Sequence, residues 1–428
     1  MNEITWKSRW SKDEIQSILI EQSEMFWHRD TGIPREKLKD LNQAKELPHA
    51  VIISGLRRVG KSTLLAQLAH RLGKETFYYL NFEDDRFIGF QAQDVNDLYK
   101  ILVETFSERK TFIIDEIQNV AGWEHFVHRF IDLGFKFYIS GSNAALLSRE
   151  TGTLLTGRHI PIELFPFSFR EYLNFQSHTD IPSQPLTTVE KGNLNAALDA
   201  YLTDGGIADA LKYPQLPILK TLYDDILFRD IAARYALGNV QALKELGLFL
   251  MNNPASLISF NKLKQHLRLG SVTTVTNYIE YLEDSWLLFT TRLYDFSVKR
   301  QQVAPKKIYG IDTGMVNSIG FHFSPNKGKL LENLVFLALR RRTKEVFYLT
   351  TQNGFEVDFY LPETRSLIQV AQHMNNPSTR EREIRALEDA IKTVEIQSLL
   401  ILSDENEDPI KIGDKEIQVL AISEWLLN

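Results

Sequence analysis

Between Gly55 and Ser62 the chain reads Gly-Leu-Arg-Arg-Val-Gly-Lys-Ser, which places two glycines, an ammonium and a hydroxyl in the spacing G-x-x-x-x-G-K-[ST]. Glycines let a backbone turn tightly enough for several N–H groups to converge on phosphate oxygens, and a helix N-terminus adds partial positive charge there. Lys61 supplies a formal charge for the β- and γ-phosphates, and Ser62 a hydroxyl for Mg2+. The candidate nucleotide contacts are Gly55, Arg57, Arg58, Val59, Gly60, Lys61, Ser62 and Thr63. The side chains of Arg57 and Arg58 are equally consistent with facing solvent or a neighbouring molecule.

A second constellation lies about fifty residues on, where Thr111-Phe112-Ile113-Ile114 runs into Asp115-Glu116. An apolar strand ending in two acids delivers both to the edge of a parallel sheet where ligands bind. Asp115 would hold Mg2+ through water, and Glu116 would act as the base that polarises an attacking water. Further on, Phe137–Ile139 runs into Ser140-Gly141-Ser142-Asn143. Ser142 and Asn143 are candidates to meet the γ-phosphate or its water, although Gly, Ser and Asn also simply form turns.

These residues need strands and helices to hold them. Val51–Ile53, Phe77–Leu80, Phe112–Ile114, Phe137–Ile139 and Ile160–Leu164 are short apolar runs suited to a parallel sheet covered on both faces. An amphipathic helix, 63–72, follows the first glycine-rich turn. Upstream, Ser11-Lys12-Asp13-Glu14 fits a capping box, with Ile15, Ile18 and Leu19 on one face. Residues 177–188 are polar with two prolines and read as a loop, and 190–255 as mostly helical. Then 260–296 reads helix, turn, helix, hairpin. The last hundred residues return to strands at 346–349, 357–361, 367–371 and 399–402, with a charged helix at 379–392.

Composition narrows the chemistry. The chain of 428 residues has no cysteine, which excludes disulfides, thiolate zinc sites and cysteine nucleophiles. A net charge of −6 argues against a general polyanion binder while leaving room for a local basic face. The N-terminus lacks a signal-peptide pattern and no long apolar run spans a bilayer, so a cytoplasmic location without membrane contact is expected.

The motif set as a whole resembles the prokaryotic AAA-type ATPases that carry a C-terminal domain of unassigned function. The resemblance rests on the residues from Gly55 to Ser62, Asp115-Glu116-Ile117-Gln118, Gly141-Ser142, Thr156-Gly157-Arg158 and Pro166-Phe167-Ser168-Phe169-Arg170-Glu171-Tyr172. Downstream it adds Gly205-Gly206, Arg229-Asp230, Lys307-Ile308-Tyr309, Asp312-Thr313-Gly314 and Glu356-Val357-Asp358-Phe359. It covers about residues 50 to 400, nearly the whole chain. It implies an α/β fold with a P-loop AAA-type core, a helical lid, a winged helix and a restriction-endonuclease-like (PD-(D/E)XK-like) α/β module. The expected boundaries are 1–44 for an N-terminal helical extension, 45–176 for the core, 177–240 for lid and linker, 241–304 for the winged helix and 305–428 for the last module. The resemblance also implies ATP and Mg2+ as cofactors and homo-oligomers, a hexamer-like ring among them. In such assemblies one subunit lends an arginine to its neighbour's ATP. Arg158 and Arg229 are the candidates for that finger or for a sensor in the same subunit, and an ordinary ion pair is the alternative for each.

In the downstream half, Ser259 and Ser271 are placed to cap two helices. Val272, Val275, Ile279 and Leu282 share one face of the second, which leaves Thr273, Thr274, Thr276 and Asn277 outward, as on a recognition helix. Lys262, Lys264, Arg268, Arg292, Lys299, Arg300, Lys306 and Lys307 outnumber nearby acids and suit phosphate contacts, so DNA is a candidate partner. In the last module Glu332 and Asp358 occupy two positions of a nuclease-type metal site, but Gln369 and Ala371 stand where a carboxylate and an ammonium are needed. No nucleic-acid cleavage is expected. Two functions follow: an oligomeric ATPase that remodels nucleic acid or nucleoprotein, or an ATP-dependent switch or scaffold that binds a protein partner without DNA.

Overall fold

The computed structural model describes residues 10–142, 155, 157–176, 186–320 and 327–428. The chain divides into two compact units, one ending at Phe165 and the other beginning at Pro166.

The first unit is built on five parallel strands, β1 (Ala50–Gly55), β2 (Phe77–Asn81), β3 (Thr111–Asp115), β4 (Lys136–Gly141) and β5 (His159–Leu164). Their order across the sheet is β2-β3-β4-β1-β5. All five expected runs are therefore strands, and β1 is buried along its whole length, as a parallel strand covered on both faces must be. β4 lies between the glycine-turn strand β1 and the acid-bearing strand β3. Phe112 and Phe137, on neighbouring strands, stack at 5.1 Å inside a cluster with Phe130 and Phe135.

The N-terminal helix Lys12–Trp27 starts at the expected Ser11–Glu14 capping box. It is not a separate extension. Ile15, Ile18 and Leu19 join the core of the first unit, and Phe26 stacks on Tyr79 of β2 at 3.7 Å.

In the second unit, helices Phe169–Phe175, Thr188–Asp204, Ala208–Lys212, Ile218–Asp225 and Val240–Met251 are joined by a π-helical segment, Ile226–Ala232. The two compact units thus part at Phe165, ahead of the expected core boundary at 176. Phe169 and Tyr172 pack their rings on Tyr201, and the Phe167 N–H donates to Gly206 O at 2.7 Å, which ties this stretch to the second unit.

Strands β6 (Ser256–Ile258), β7 (Leu288–Thr291) and β8 (Lys306–Gly310) form an antiparallel sheet in the order β6-β8-β7 beside helices Phe260–His266 and Val272–Asp284. The expected boundary at 304 cuts through this sheet, because β8 closes it. Ser271 caps the second helix, but Ser259 makes no side-chain capping bond. Thr274 and Thr276 spend hydroxyl bonds on Ser271 and on the Val272 carbonyl, and of the four outward candidates Thr273 is exposed and the others half-buried.

A six-stranded mixed sheet completes the unit, in the order β13-β14-β12-β11-β10-β9. It comprises β9 (Phe347–Thr350), β10 (Glu356–Leu361), β11 (Ser366–Val370), β12 (Ser398–Ser403), β13 (Glu407–Ile412) and β14 (Lys415–Ala421). The last two were not expected. β13 contains Glu407-Asp408-Pro409, and β14 alternates buried and exposed positions, so neither offers a continuous apolar run. The arginines at 340–342 are used inside the unit: Arg341 donates to Pro166 O at 2.7 Å, and Arg342 lies over the Trp425 ring.

Asp312 pins Gly205-Gly206 to the segment after β8. Its carboxylate accepts the Gly206 N–H at 2.6 Å and the Met315 N–H at 2.8 Å. Gly205 has φ +75°, and a Cβ there would stand 2.1 Å from Asp312 Oδ1, so only glycine fits. Burial pushes the Asp312 carboxyl up to about 6, against the pull of those N–H groups and of Arg341. A carboxyl raised in the fold stabilises it fully below the unfolded value, and that contribution is lost as pH rises through the folded one. Urea titrations should therefore show wild type losing about 2 kcal/mol relative to Asp312→Asn between pH 4 and 7, at about 1.4 kcal/mol per pKa unit. Parallel profiles for the two proteins would contradict this.

Candidate nucleotide-binding site

β1 ends at Gly55, and this glycine is sterically required: a Cβ would lie 2.2 Å from the Leu164 carbonyl oxygen of β5. The chain then loops through Arg58 and Gly60, both left-handed at φ 61° and 97°, into helix Lys61–Leu72. Such a turn exposes backbone N–H groups on one concave side, at a helix N-terminus. Lys61 is buried, and its Nζ donates to the Gly55 and Leu56 carbonyls at 3.1 Å each. Arg57 pairs with Glu83 at 3.0 Å, and Arg58 is exposed.

Asp115 ends β3 and is buried. Its carboxylate accepts hydrogen bonds from Ser140 on β4 and from Ser62 at the start of the helix. Burial raises its pKa, opposed by those two hydroxyls and, more weakly, by Lys61. An ammonium, a hydroxyl and a carboxylate thus meet at the C-terminal ends of neighbouring parallel strands. Asp115 and Ser62 offer the hard oxygens Mg2+ prefers, and a buried carboxylate held against its desolvation cost is stabilised by a cation, so the residues fit that ion. Glu116 follows in a left-handed turn at φ 53°, half-buried, and accepts a hydrogen bond from the Gln118 amide.

Other candidates are less concentrated. Ser142 lies one residue beyond β4, beside the end of β1, where Ser54 faces Gly141. Asn143 and Thr156 lie outside the described residues. Arg158 is on the surface, paired with Asp132. Its carbonyl accepts the Ala50 N–H at the start of β1, while the glycine turn follows the far end of that six-residue strand. At about 3.3 Å per residue that is about 20 Å, so Arg158 is no sensor for its own subunit's site. Arg229 is exposed on the π-helical segment of the second unit.

Two residues not singled out from the sequence complete the site. Ser140 is one; it precedes the turn after β4, and its hydroxyl donates to Asp115 from within the strand. Arg35 is the other. Buried between the first two helices, it donates from Nη1 to Val59 O in the glycine turn at 2.8 Å and from Nη2 to Phe165 O at 2.7 Å. Gln67 accepts the Arg35 N–H at 3.0 Å and donates to the Thr31 and Ile33 carbonyls. A polar Gln67 within the otherwise apolar stretch 64–69 was the available signal.

Residues 48–173 match the family model described as an AAA domain, and residues 194–325 match a domain of unknown function, DUF8612. The uncharacterized protein MJ1544 of Methanocaldococcus jannaschii is 36% identical over 92% of this chain and 92% of its own length. An uncharacterized protein of Haemophilus influenzae is 30% identical over 92% of this chain and 99% of its own. The chain belongs to the family of these two proteins, and its residues 48–173 are an AAA domain of the P-loop ATPase type. Among solved structures, a Walker-type ATPase of Pyrococcus abyssi is similar at 14% identity and TM-score 0.42, over 69% of this chain and 99% of that one.

The second unit of the ATPase holds a different polar cluster. Lys307, expected on a phosphate-binding face, is only 1% exposed. Its ammonium meets Glu332 at 2.8 Å, Glu356 at 2.6 Å and Asp358 at 3.1 Å. Tyr309 donates to the same Glu332 oxygen. Asp358 sits where β10 slips register against β9, a bulge that re-aims side chains, and its Oδ2 accepts the Val370 N–H. Gln369 accepts the Asp358 N–H and donates to Glu383. One ammonium cannot neutralise three carboxylates, so burial and Asp358 raise the Glu332 pKa. The ammonium missing at Ala371 is thus supplied from β8, but it is already paired. A cleft of about 720 Å3 opens beside these acids. Among the described residues, no three His, Asp or Glu are arranged to hold a metal ion, and no helix is long and apolar enough to cross a membrane.

Arg35→Ala would leave the Val59 and Phe165 carbonyls buried without their donor, at about 1–3 kcal/mol each. Urea unfolding should show a loss of this order, with weaker ATP binding by calorimetry because the glycine turn loosens. Wild-type stability and affinity would contradict the assigned role.

Proposed function

We propose that this ATPase binds ATP with Mg2+, hydrolyses it and, as a homo-oligomer, uses the cycle to remodel nucleic acid or nucleoprotein through its second unit. The observation that carries the catalytic part is Asp115, buried and hydrogen-bonded to both Ser62 and Ser140, with Glu116 next in the chain.

In this reading the glycine-turn N–H groups surround the phosphates, with Gly55, Arg57, Arg58, Val59, Gly60 and Thr63 forming the cradle. Lys61 exchanges its two neutral carbonyl partners for the β- and γ-phosphates. Ser62 and Asp115 would hold Mg2+, which neutralises developing phosphate charge when bound. Glu116 takes a proton from water as its oxygen attacks the γ-phosphorus and the bond to the leaving ADP breaks. Ser142 and Asn143 would orient that water or the γ-phosphate. Arg158, too far from its own site, would serve a neighbour's ATP after releasing Asp132; Arg229 is the other candidate.

A nucleic-acid partner is supported by the helix pair 260–266 and 272–284 beside the β6-β8-β7 sheet, the arrangement of a winged helix. Lys262, Arg268, Arg292, Lys299 and Arg300 are exposed there, and Lys264 and Lys306 are half-exposed. The second reading, a switch that holds a protein partner, is favoured by Phe296, Val298 and Val303, which expose large apolar surface on the segment joining β7 to β8. The last module is proposed not to cleave nucleic acid, because Lys307 already sits among its carboxylates.

Lys61→Ala should weaken ATP binding, whereas Glu116→Gln should bind ATP normally and lose hydrolysis. Duplex or single-stranded DNA should raise wild-type turnover and stay intact in Mg2+. Full turnover in Glu116→Gln contradicts the assigned base. Flat turnover with DNA favours the protein-partner reading, and Mg2+-dependent cleavage lost in Asp358→Ala contradicts the inactive module.

A further inference from the structure

Two residues beyond the assigned base, Gln118 has no role in the reading above. It lies in the 3-10 turn Ile117–Asn119, which starts from the left-handed Glu116. That reversal folds the Gln118 side chain back on the Glu116 carboxylate, to which its Nε2 donates. A carboxylate only accepts, so the amide must present its nitrogen there and turn its oxygen away. The oxygen, Oε1, is buried and has no hydrogen-bond partner among the described residues. A buried acceptor left unpaired costs free energy and is rare, so its partner is expected from whatever enters the site.

The turn itself is fixed. Ile117 is fully buried, Asn119 Nδ2 donates to Phe82 O at 3.0 Å, and the Val120 N–H closes on Ile117 O at 2.9 Å. Gln118 is therefore carried on a rigid loop, and its amide bond restricts the half-buried Glu116 carboxylate.

We propose that Gln118 is a positioning residue for hydrolysis: Nε2 orients the Glu116 carboxylate, and Oε1 accepts the second hydrogen of the attacking water. The water is then held at two points, one hydrogen toward the base that removes it and the other toward the amide. This rests on Glu116 being the base. The gain is orientational, so it acts on turnover and leaves ATP affinity alone.

The test uses the full chain with Gln118→Met, similar in length but without the amide, and Gln118→Ala as a second variant. Both should keep the wild-type melting temperature and ATP dissociation constant, while kcat falls about 10²-fold, the scale of a misplaced reacting group. In the Glu116→Gln background, Gln118→Met should lower residual turnover by less than about twofold, because residues acting as one unit are not additive. A Gln118→Met enzyme with unchanged or raised kcat beside an inactive Glu116→Gln would overturn the proposal alone. An equal loss from Gln118→Met in both backgrounds would overturn it too, by placing Gln118 elsewhere in the reaction. Active Glu116→Gln would instead remove the base, and this proposal with it.

Discussion

A buried carboxylate must be held against water's preference for it, and the first unit is organised around one such group. Asp115 reaches a dry position at the end of β3 and is tolerated because hydroxyls from two other elements donate to it. Ser140 can do so only if β4 separates β3 from β1, and Ser62 only if the glycine turn brings the helix N-terminus back over the sheet. Strand order, turn geometry and the fit of Gly55 against β5 are thus linked to one ionisable group. Arg35 extends the same constraint to the N-terminal segment by joining the glycine turn to the end of the first unit.

The second unit solves a similar problem by different means. Three carboxylates converge on Lys307, and Tyr309 and the Val370 N–H take further lone pairs. A buried lysine so paired has little to offer a phosphate, although its sequence neighbours in β8 and the joining segment do. Removing one partner from such a cluster is far more damaging than its net stabilisation suggests, since the remaining charges stay buried. The cluster is therefore a rigid feature of the module, whatever binds in the adjacent cleft.

Much of this was legible in the sequence. The five parallel strands, the glycine turn and the paired acids all carry local signals: a β-branched or aromatic run, a fixed spacing of glycines, an apolar strand stopped by Asp-Glu. What stayed hidden depends on contacts between distant segments. Arg35 is an unremarkable loop arginine until Val59 and Phe165 are brought beside it. Ser140 carries no local signal, since a serine inside a strand looks like any other strand residue, and only register with β3 aims it at Asp115. Lys307 was read as part of a basic face because its sequence neighbours are basic, whereas pairing of β8 turns it inward. The late strands β13 and β14 escaped because one is interrupted by Pro409 and the other alternates too finely to form a run.

The central claim is that the glycine turn, Lys61 and Asp115 form one receptor for a nucleoside triphosphate and its metal. Calorimetric titration of the full chain with a non-hydrolysable ATP analogue, with and without Mg2+, tests it most directly. Saturable, stoichiometric binding that tightens when the ion is present is the predicted result. Folded protein that gives no saturable heat under either condition would contradict the account.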